Sequence, residues 1–395
     1  MGLDSDWDGV GGLLGNTEVR ELKRLVSIAL VAVMAGLLLS GCAPKQATPT
    51  TPAQTTLPGT GKRVILLVNG NLGDKSFFDS ANAGMERIKK ELGCETKVLE
   101  MGTDPSKWEP TLTDVSGQNW DLIIVGTWQM TENLQKVAPK FPNKKYIIFD
   151  TTVDYTKAKY ENVYSVMYSQ NEGSYLAGVL AASVTTSKMP KANDKKIIGF
   201  LGGQDIDVIN DFLVGYIEGA KSVVPDIKVA ISYVNDFANP AKGKEMSLAQ
   251  YDLGADIGFN VAGGSGLGQL DAAKEKDKYA IGVDSDQAML FKDSDPKKAE
   301  LTLTSMLKRV DNSLFRAVKL WLEGKLTFGK AETLGLKDDA VGLAENEFYK
   351  KNVPQEIQAK VTEAKNKIAS GQVKVGTAFG MDKKALEDLK NSVKP

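Results

Sequence analysis

From residue 63 onward, short apolar runs alternate with amphipathic stretches. The apolar runs predict buried strands at 63–69, 97–100, 122–126, 146–150 and 163–166, and the stretches between them predict helices at 77–92, 108–119 and 131–138. In the first of these helices, Ala81, Met85 and Ile88 share one stripe, which is typical of a helix packed on a sheet. Apolar strands that alternate with helices predict a doubly wound parallel sheet.

The same alternation restarts after residue 170. It predicts helices at 174–184, 208–221, 242–253, 308–324 and 354–370, and strands at 196–201, 228–233, 257–261, 279–283, 301–306 and 373–375. Two successive α/β units predict two lobes, each with its own doubly wound parallel sheet. Because clefts between domains are preferred sites for small molecules, we expect a binding site between the lobes.

The stretch 254–287 predicts half of that site. A strand that contains Asn260 leads into a turn with Gly263 and Gly264, and a helix and a second strand then lead to Asp284. Ligands of open α/β sheets bind outside the carboxyl ends of the strands. We therefore expect Asn260, the glycine turn and Asp284 to contact a ligand.

The glycine turn does not match the loop motifs of nucleotide-binding proteins or hydrolases. The dinucleotide pattern G-x-G-x-x-G fails at Gln269, and the nucleophile pattern G-x-S-x-G fails at Leu267. The glycines are better explained as positions that let the backbone approach a neutral ligand closely.

Four aromatic side chains are candidates for the cleft. Phe77 and Phe78 begin a helix and cannot both point inward, so one ring is expected in the core and the other at the ligand. Trp128 follows the third strand and either faces the same edge of the sheet or lies on the lobe surface. Phe212 is either a core residue or a stacking ring from the second lobe.

Three polar side chains complete the candidate set. Asp74 precedes the first helix and is either a capping acid or a ligand acceptor, and Ser76 follows it at the helix start. Lys308 lies at a strand end, where it either pairs with Asp284 or is a solvated charge.

The N-terminal region has the pattern of an export signal. Arg20, Lys23 and Arg24 precede fifteen uncharged residues at 25–39, which are too few for a membrane span of about 20 residues. The sequence Leu-Ser-Gly-Cys that ends at Cys42 resembles the lipobox of bacterial lipoproteins. This resemblance implies a signal region at 1–41 and lipidation of Cys42; an uncleaved anchor is the alternative. The Thr- and Pro-rich residues 42–61 predict a disordered tether.

Composition excludes several functional classes. The 395 residues contain no histidine, which excludes a Ser-His-Asp triad and histidine metal sites. The net charge is −1, so there is no basic field for nucleic acid. We expect a protein with neither catalytic residues nor a metal or cofactor.

Six segments together resemble one family. They are GDKSFFDSANAGM (73–85), NVYSVMYSQNEGSYLAGVLAA (162–182), GFLGGQDIDVINDFLVGYIEGA (199–220), DFANPAKGKEMSLAQYDLGADIGFNVAGGSGLG (236–268), YAIGVDSDQ (279–287) and LTSMLKRVD (303–311). Residues 62–375 resemble the basic membrane protein family of bacterial lipoproteins, which are purine-nucleoside receptors among the periplasmic binding proteins. The resemblance implies a type I periplasmic binding fold, with lobe 1 at 62–168 and 288–325 and lobe 2 at 169–287 and 326–395.

The resemblance also implies a function and a location. A monomer, lipid-anchored to the outer face of the cytoplasmic membrane or in the periplasm, would close on a nucleoside and deliver it to the permease and ATPase subunits of an ABC importer. Asp284 would bind the ribose hydroxyls with Lys308 beside it. Phe212 and one ring of the 77–78 pair would enclose the base, and Asp74 would lie on the rim.

Three positions depart from the family pattern and leave other ligands open. The family usually has asparagine at the positions of Gly73 and Phe78, and a residue smaller than Trp128. A receptor for a pentose, a flavin or a signalling sugar is the first alternative. An enzyme that processes nucleosides is the second, and the absence of histidine and of a metal cluster disfavours it.

Overall fold

A computed structural model describes residues 56–395, and two six-stranded sheets organise this part of the chain. The strands are β1 (Arg63–Val68), β2 (Glu95–Glu100), β3 (Leu122–Gly126), β4 (Lys145–Phe149), β5 (Val163–Tyr168), β6 (Ile197–Gly202), β7 (Lys228–Tyr233), β8 (Ile257–Val261), β9 (Tyr279–Asp284), β10 (Thr302–Lys308), β11 (Lys330–Leu334) and β12 (Val341–Leu343). The first sheet has the order β11-β5-β4-β3-β1-β2, and the second has the order β12-β10-β9-β8-β6-β7.

Helices cover both faces of each sheet. They are α1 (Phe77–Arg87, continued by a π-helical turn at Ile88–Leu92), α2 (Trp108–Gly117), α3 (Thr131–Val137), α4 (Gln170–Thr185), α5 (Asp207–Val223), α6 (Pro240–Leu253), α7 (Leu267–Lys276), α8 (Gln287–Phe291), α9 (Pro296–Leu301), α10 (Val310–Leu322), α11 (Glu347–Asn352), α12 (Gln355–Ala369) and α13 (Lys383–Ser392). The central strands are buried on both faces, which explains their unbroken apolar sequences.

The sheets are parallel except at one edge, where β12 runs antiparallel to β10. In each sheet the parallel strands therefore end at one common edge. The two sheets form two lobes, and the loops that follow their strands meet between them. This arrangement confirms the doubly wound fold class and explains why residues distant in sequence can share one site.

Sheet membership differs from the expected lobe boundaries at two strands. β10 lies in the second sheet beside β9, although 288–325 was expected in lobe 1. β11 lies in the first sheet beside β5, although 326–395 was expected in lobe 2. The hydrophobic pattern of a strand does not indicate which strand it pairs with. The sequence therefore did not show that β10 remains in the second sheet or that the chain returns to the first sheet only at β11.

Three further expectations about local structure were wrong. Lys308 ends β10 and does not begin the following helix, which starts at Val310. Residues 373–375 form no strand, because the carbonyl oxygen of Val375 faces the Asn171 amide nitrogen (3.4 Å) and no neighbouring strand. Residues 59–61 were expected in the tether but belong to the folded body, because Gly59 is buried against Cys94 and donates its N–H to the Leu92 carbonyl oxygen at 2.7 Å.

Close packing of α4 on α5 depends on glycines. A Cβ atom at Gly215 would clash with the carbonyl oxygen of Asn171, and one at Gly219 would clash with that of Tyr175. Because the opposing atoms belong to backbone, they cannot move aside as a side chain could. The two helices can approach this closely only without side chains at these positions.

Gly215→Ala is therefore expected to lower the free energy of unfolding by at least about 2 kcal/mol, since overpacking a core costs roughly 1–3 kcal/mol even where side chains can adjust. The matched control is Gly117→Ala, where a Cβ would meet no atom within 4 Å. Urea denaturation of both variants measures the difference. Equal stability of the two variants would contradict the packing argument.

Candidate binding cleft

A cavity of about 520 Å³ lies between the carboxyl edges of the two sheets. Its walls come from both lobes and combine aromatic rings with a few polar groups. The lining includes Asn69, Gly73, Asp74, Phe77, Phe78, Thr103, Trp108, Thr127, Trp128, Gln129 and Asp150 from the first lobe. The second lobe contributes Gln204, Ile206, Val208, Ile209, Phe212, Asp236, Phe237, Gly263, Gly264, Asp284 and Lys308.

Asp284 is the buried carboxylate of the cavity. It ends β9 and is only 6% exposed, and its Oδ2 atom accepts a hydrogen bond of 2.5 Å from the Ser76 hydroxyl of the opposite lobe. Burial raises the pKa of Asp284 from 3.8 to about 7, while Lys308 and the Ser76 hydroxyl oppose the rise and Asp74 and Asp150 add to it. Ser76 was expected to contact a ligand, but it does not line the cavity and its hydroxyl group is bonded to Asp284.

Lys308 pairs with Asp150 and not with Asp284, which corrects the expected pairing. Its ammonium nitrogen lies 2.6 Å from Asp150 Oδ1, and the side chains of Lys308 and Asp150 are 3% and 11% exposed. The sequence did not single out Asp150, although it directly follows strand β4 as Asp284 ends β9. A buried ammonium requires a partner, and the nearest carboxylate at the facing sheet edge provides it.

Aromatic rings surround the Lys308 ammonium. The rings of Phe212, Phe77 and Tyr168 have their centroids 4.8, 5.5 and 5.6 Å from the Lys308 nitrogen. Such contacts stabilise a cation in a site that excludes water. The cluster therefore holds one positive charge at the floor of the cleft, next to the carboxylates of Asp150 and Asp284.

The backbone is strained where the strands enter the cleft. Thr127, Asp150 and Asp284 have φ angles of 69°, 64° and 62°, in the region that favours glycine. Thr127 has a ψ angle of 153°, which places a β-branched residue in a conformation adopted almost only by glycine. Strain of this kind clusters at ligand sites, because the surrounding structure must hold the chain in place there.

Asp74 acts as the cap of helix α1. Its two carboxylate oxygens accept hydrogen bonds from the backbone N–H groups of Ser76, Phe78 and Asp79 at 2.9–3.1 Å. Burial raises the pKa of Asp74, and these hydrogen bonds oppose the rise. The sequence left open whether Asp74 caps the helix or accepts a hydrogen bond from a ligand, and these hydrogen bonds show that it caps the helix. Asp74 also borders the cavity, opposite the backbone of Gly264.

The four candidate aromatic residues all line the cavity, but to different extents. Phe77 and Phe78 are both half-buried and form an edge-to-face pair with ring centroids 5.3 Å apart, so neither is a pure core residue. Phe212 is only 1% exposed and also packs against Phe259. Trp128 is 49% exposed at the entrance of the cleft.

Gly263 and Gly264 line the cavity, whereas Asn260 does not. Phe237 lies next to both glycines, and a Cβ atom at Gly264 would lie 3.1 Å from its carbonyl oxygen. Asn260 is fully buried and donates from its amide nitrogen to the Ile281 carbonyl oxygen at 3.2 Å. Asn260 was expected to contact a ligand, but its side chain bridges strands β8 and β9 and does not border the cavity.

Sequence reasoning missed a polar cluster at the end of β1. The Asn69 amide nitrogen donates to the Thr127 hydroxyl at 2.8 Å and to the Gln129 amide oxygen at 3.2 Å. Asn69 is 5% exposed, and its Oδ1 atom has no hydrogen-bond partner in the described part of the chain. An unpaired buried acceptor beside a cavity is suited to a ligand donor. Asn69 could have been identified from the sequence by its position directly after the apolar strand β1.

Two kinds of feature are absent from residues 56–395. No group of three or more Cys, Asp or Glu side chains there is arranged to hold a metal ion. No helix within the same residues has the length and apolarity needed to cross a membrane. Cys42 lies outside the described residues.

Residues 62–378 match the Bmp family, whose description is ABC transporter substrate-binding protein PnrA-like. The chain is 32% identical over 319 residues to the CD4+ T-cell-stimulating antigen of Listeria monocytogenes, which covers 78% of this chain and 85% of that protein. It is 32% identical over 372 residues to the ABC transporter nucleoside-binding protein BmpA of Lactococcus lactis, which covers 89% and 99% of the two chains.

Solved structures show the same fold. The ABC transporter solute-binding protein from Aeropyrum pernix superimposes with a TM-score of 0.74 at 26% identity, covering 84% of this chain and 98% of that one. A solute-binding protein from Conexibacter woesei superimposes with a TM-score of 0.64 at 20% identity, over 80% and 99% of the two chains. The two-lobed architecture is thus the type I periplasmic binding fold.

The environment of Asp284 predicts a pH-dependent stability. A folded-state pKa of about 7 against an ordinary value of 3.8 means that the folded state binds more protons between these values. Stability from this group is fully present below pH 4 and is lost as the pH rises to about 7. Asp284→Asn should remove this loss, so the variant should gain on the wild type by up to a few kcal/mol between pH 5 and pH 8.

Denaturant titrations of the ligand-free wild type and of Asp284→Asn at these two pH values measure the difference. Comparing the two proteins cancels the titration of Asp74, Asp150 and other carboxylates to the extent that they are independent of Asp284. Parallel stability curves from pH 5 to pH 8 would mean that Asp284 is already ionised throughout this range.

Proposed function

Because the chain belongs to the PnrA-like family of ABC transporter substrate-binding proteins, we propose that the small molecule it binds is a nucleoside, with purine as the expected base. The protein binds this ligand in the cleft between the lobes and presents it to the permease and ATPase subunits of an ABC importer. It performs no chemical step on the ligand.

The observation that carries the proposal is the carboxylate of Asp284. Only its Oδ2 atom is bonded within the described chain, to the Ser76 hydroxyl, which leaves Oδ1 available in the cavity. A carboxylate accepts from two adjacent hydroxyl groups, as a ribose presents them. A neutral diol provides the missing donors without adding charge beside the Lys308–Asp150 pair.

The remaining walls of the cavity suit a flat, partly polar ring. Phe77, Phe78, Phe212 and Phe237 provide aromatic surface from both lobes. The unpaired Oδ1 atom of Asn69 is an acceptor for an N–H group on the edge of a base. A free pentose would use Asp284 but would leave this aromatic surface and this acceptor unfilled, so the nucleoside is the better match.

Ligand capture is proposed to close the lobes. Ser76 and Asp284 lie on different lobes, and the Gln287 amide nitrogen also donates across the cleft, to the Lys75 carbonyl oxygen at 3.1 Å. These bonds belong to a closed arrangement. A ligand that contacts both lobes favours this arrangement over an open one by its difference in affinity for the two.

We also propose that Cys42 carries the lipid that anchors the protein at the outer face of the cytoplasmic membrane. The support is the basic, apolar and Leu-Ser-Gly-Cys sequence that leads to it. A single acyl chain binds membranes only marginally, so stable anchoring would require more than one chain on this residue.

At pH 8, where the Asp284 carboxylate is mostly ionised, Asp284→Ala is predicted to weaken binding of inosine by roughly two to four factors of ten, because two hydrogen bonds to a charged group are worth about 1.5–3 kcal/mol each. Calorimetric titration of the wild type and the variant with inosine, 2′-deoxyinosine and hypoxanthine measures the effect. In the wild type, 2′-deoxyinosine should bind more weakly than inosine, and this difference should disappear in Asp284→Ala.

The matched control is Asp293→Ala, which removes an exposed carboxylate from the same lobe. It should bind all three compounds as the wild type does. If the wild type binds the three compounds equally, the diol is not recognised and the proposed ligand class is wrong. If Asp284→Ala lowers the Tm but keeps its affinity, Asp284 is only a structural residue.

Cys42→Ala is predicted to move the protein from the membrane fraction to the soluble fraction, since the substitution removes the thiol that would carry the lipid. Detergent partitioning of cells that express each form measures the shift. Cys94→Ala is the control and should stay with the membrane, because Cys94 is buried in the folded body. Retention of Cys42→Ala in the membrane fraction would contradict lipidation at this residue.

A further inference from the structure

The C-terminal helix α13 follows the last residue that matches the family, Ala378, and packs on the second lobe. Just after the helix, the Val393 carbonyl oxygen accepts a hydrogen bond of 2.7 Å from the N–H of Val229, in the edge strand β7. Val393 is 1% exposed, so this end of the chain is part of the folded core. The helix is thus fixed to the sheet on its outer edge.

Lys390 extends from this helix toward the binding cleft. Its ammonium group donates to both carboxylate oxygens of Asp205 at 2.9 and 3.1 Å and to Glu387 at 3.1 Å. It also lies 5.0 Å from the centre of the Tyr233 ring. The Lys390 side chain is 7% exposed, whereas that of Asp205 is 49% exposed. Burying a lysine to this extent carries a desolvation cost, and lysines are almost never fully buried unless they are paired.

Asp205 belongs to a closed network that joins four elements. Its Oδ1 atom also accepts from the Asn210 amide nitrogen at 2.7 Å, and the Asn210 amide oxygen accepts from the Tyr233 hydroxyl at 2.6 Å. Although burial raises the pKa of Asp205, the hydrogen bonds from Asn210 and Lys390 outweigh it and lower the pKa below its ordinary value. The network connects the β6–α5 loop, the first turn of α5, strand β7 and helix α13.

The loop held by this network forms part of the cavity wall. Gln204 and Ile206, on either side of Asp205, both line the cavity, and so does Phe212 further along α5. Asp205 does not line the cavity itself. The Lys390–Asp205 pair therefore fixes the wall from behind, without touching the space that a ligand would occupy.

We propose that Lys390 is a positioning residue for ligand binding: from the C-terminal helix, it holds the loop 203–206 in the binding conformation before the ligand arrives. This inference rests on the proposed function only in that the ligand occupies this cavity. A preformed wall improves affinity because the ligand does not have to order the loop on binding. Loss of the pair should therefore loosen the loop and weaken binding together.

The test compares Lys390→Met, Lys390→Arg and Asp205→Asn with the wild type. Methionine keeps most of the buried stem of Lys390 but removes its charge, and arginine retains the charge. Asp205→Asn weakens the same pair from the loop side, in case Lys390→Met fails to fold. The control is Lys384→Met, which removes an exposed lysine paired with Asp388 on the same helix.

Hydrogen exchange of the ligand-free proteins gives the first readout. In Lys390→Met and Asp205→Asn, amides 203–210 should exchange at least about tenfold faster, which reflects easier local opening. Calorimetry with inosine gives the second readout, and affinity should fall by about tenfold. Lys390→Arg should keep the exchange rate and the inosine affinity close to those of the wild type. Lys384→Met should change neither quantity.

Unchanged exchange at 203–210 in both Lys390→Met and Asp205→Asn would overturn the proposal. Faster exchange with unchanged inosine affinity would also overturn it, because Lys390 would then be structural only. If the wild type does not bind inosine, the nucleoside assignment fails by itself, and the exchange data still decide whether Lys390 orders the loop.

Discussion

The burial of charge where the two sheet edges meet is the constraint on which this structure depends. The side chains of Asp284, Asp150 and Lys308 are largely buried, and a buried charge is costly unless other groups compensate it. Lys308 is satisfied by Asp150 and by three aromatic rings, whereas Asp284 is satisfied only by Ser76 on the described chain. The least compensated group of the cluster is therefore the one that we propose to bind the ligand.

The fold places these charges by bringing strand ends together. Asp150 follows β4, Asp284 ends β9 and Lys308 ends β10, so one carboxyl edge from each sheet provides the cluster. The positive φ angles of Thr127, Asp150 and Asp284 show that the chain leaves its strands in a strained conformation there. Both sheets pack their strands between helices, and this rigid framework supports the strain.

Much of this arrangement could be predicted from the sequence, because it depends on local patterns. Apolar runs and helical stripes located strands β1–β10 and the longer helices, but not the edge strands β11 and β12 or the helices α8, α9, α11 and α13. The rule for strand ends identified Asp284 and the glycine turn. Partners were harder to predict. Asp150 and Asn69 also follow strands directly, but neither lies in the six segments that resemble the family. Lys308 was expected either to pair with Asp284 or to be a solvated charge, and its pairing with Asp150 at the edge of the facing sheet could not be read from local patterns.

Asn260, in contrast, was a candidate ligand residue but does not line the cavity. A polar residue inside a buried strand is a reasonable ligand candidate, but the strand period did not reveal which face it occupies. The structure directs it toward the backbone of β9, where it satisfies a carbonyl oxygen. The position of α13 behind the cavity wall could not be predicted either, since no local pattern relates Lys390 to Asp205, 185 residues earlier.

We propose that a nucleoside completes the cleft and holds the two lobes together. Small-angle X-ray scattering of the same protein, without ligand and with inosine at a concentration shown by calorimetry to be saturating, tests it most directly. The radius of gyration is expected to be smaller in the presence of inosine, because the ligand favours the closed arrangement. Superimposable scattering curves from the free and the saturated protein would contradict closure on the ligand.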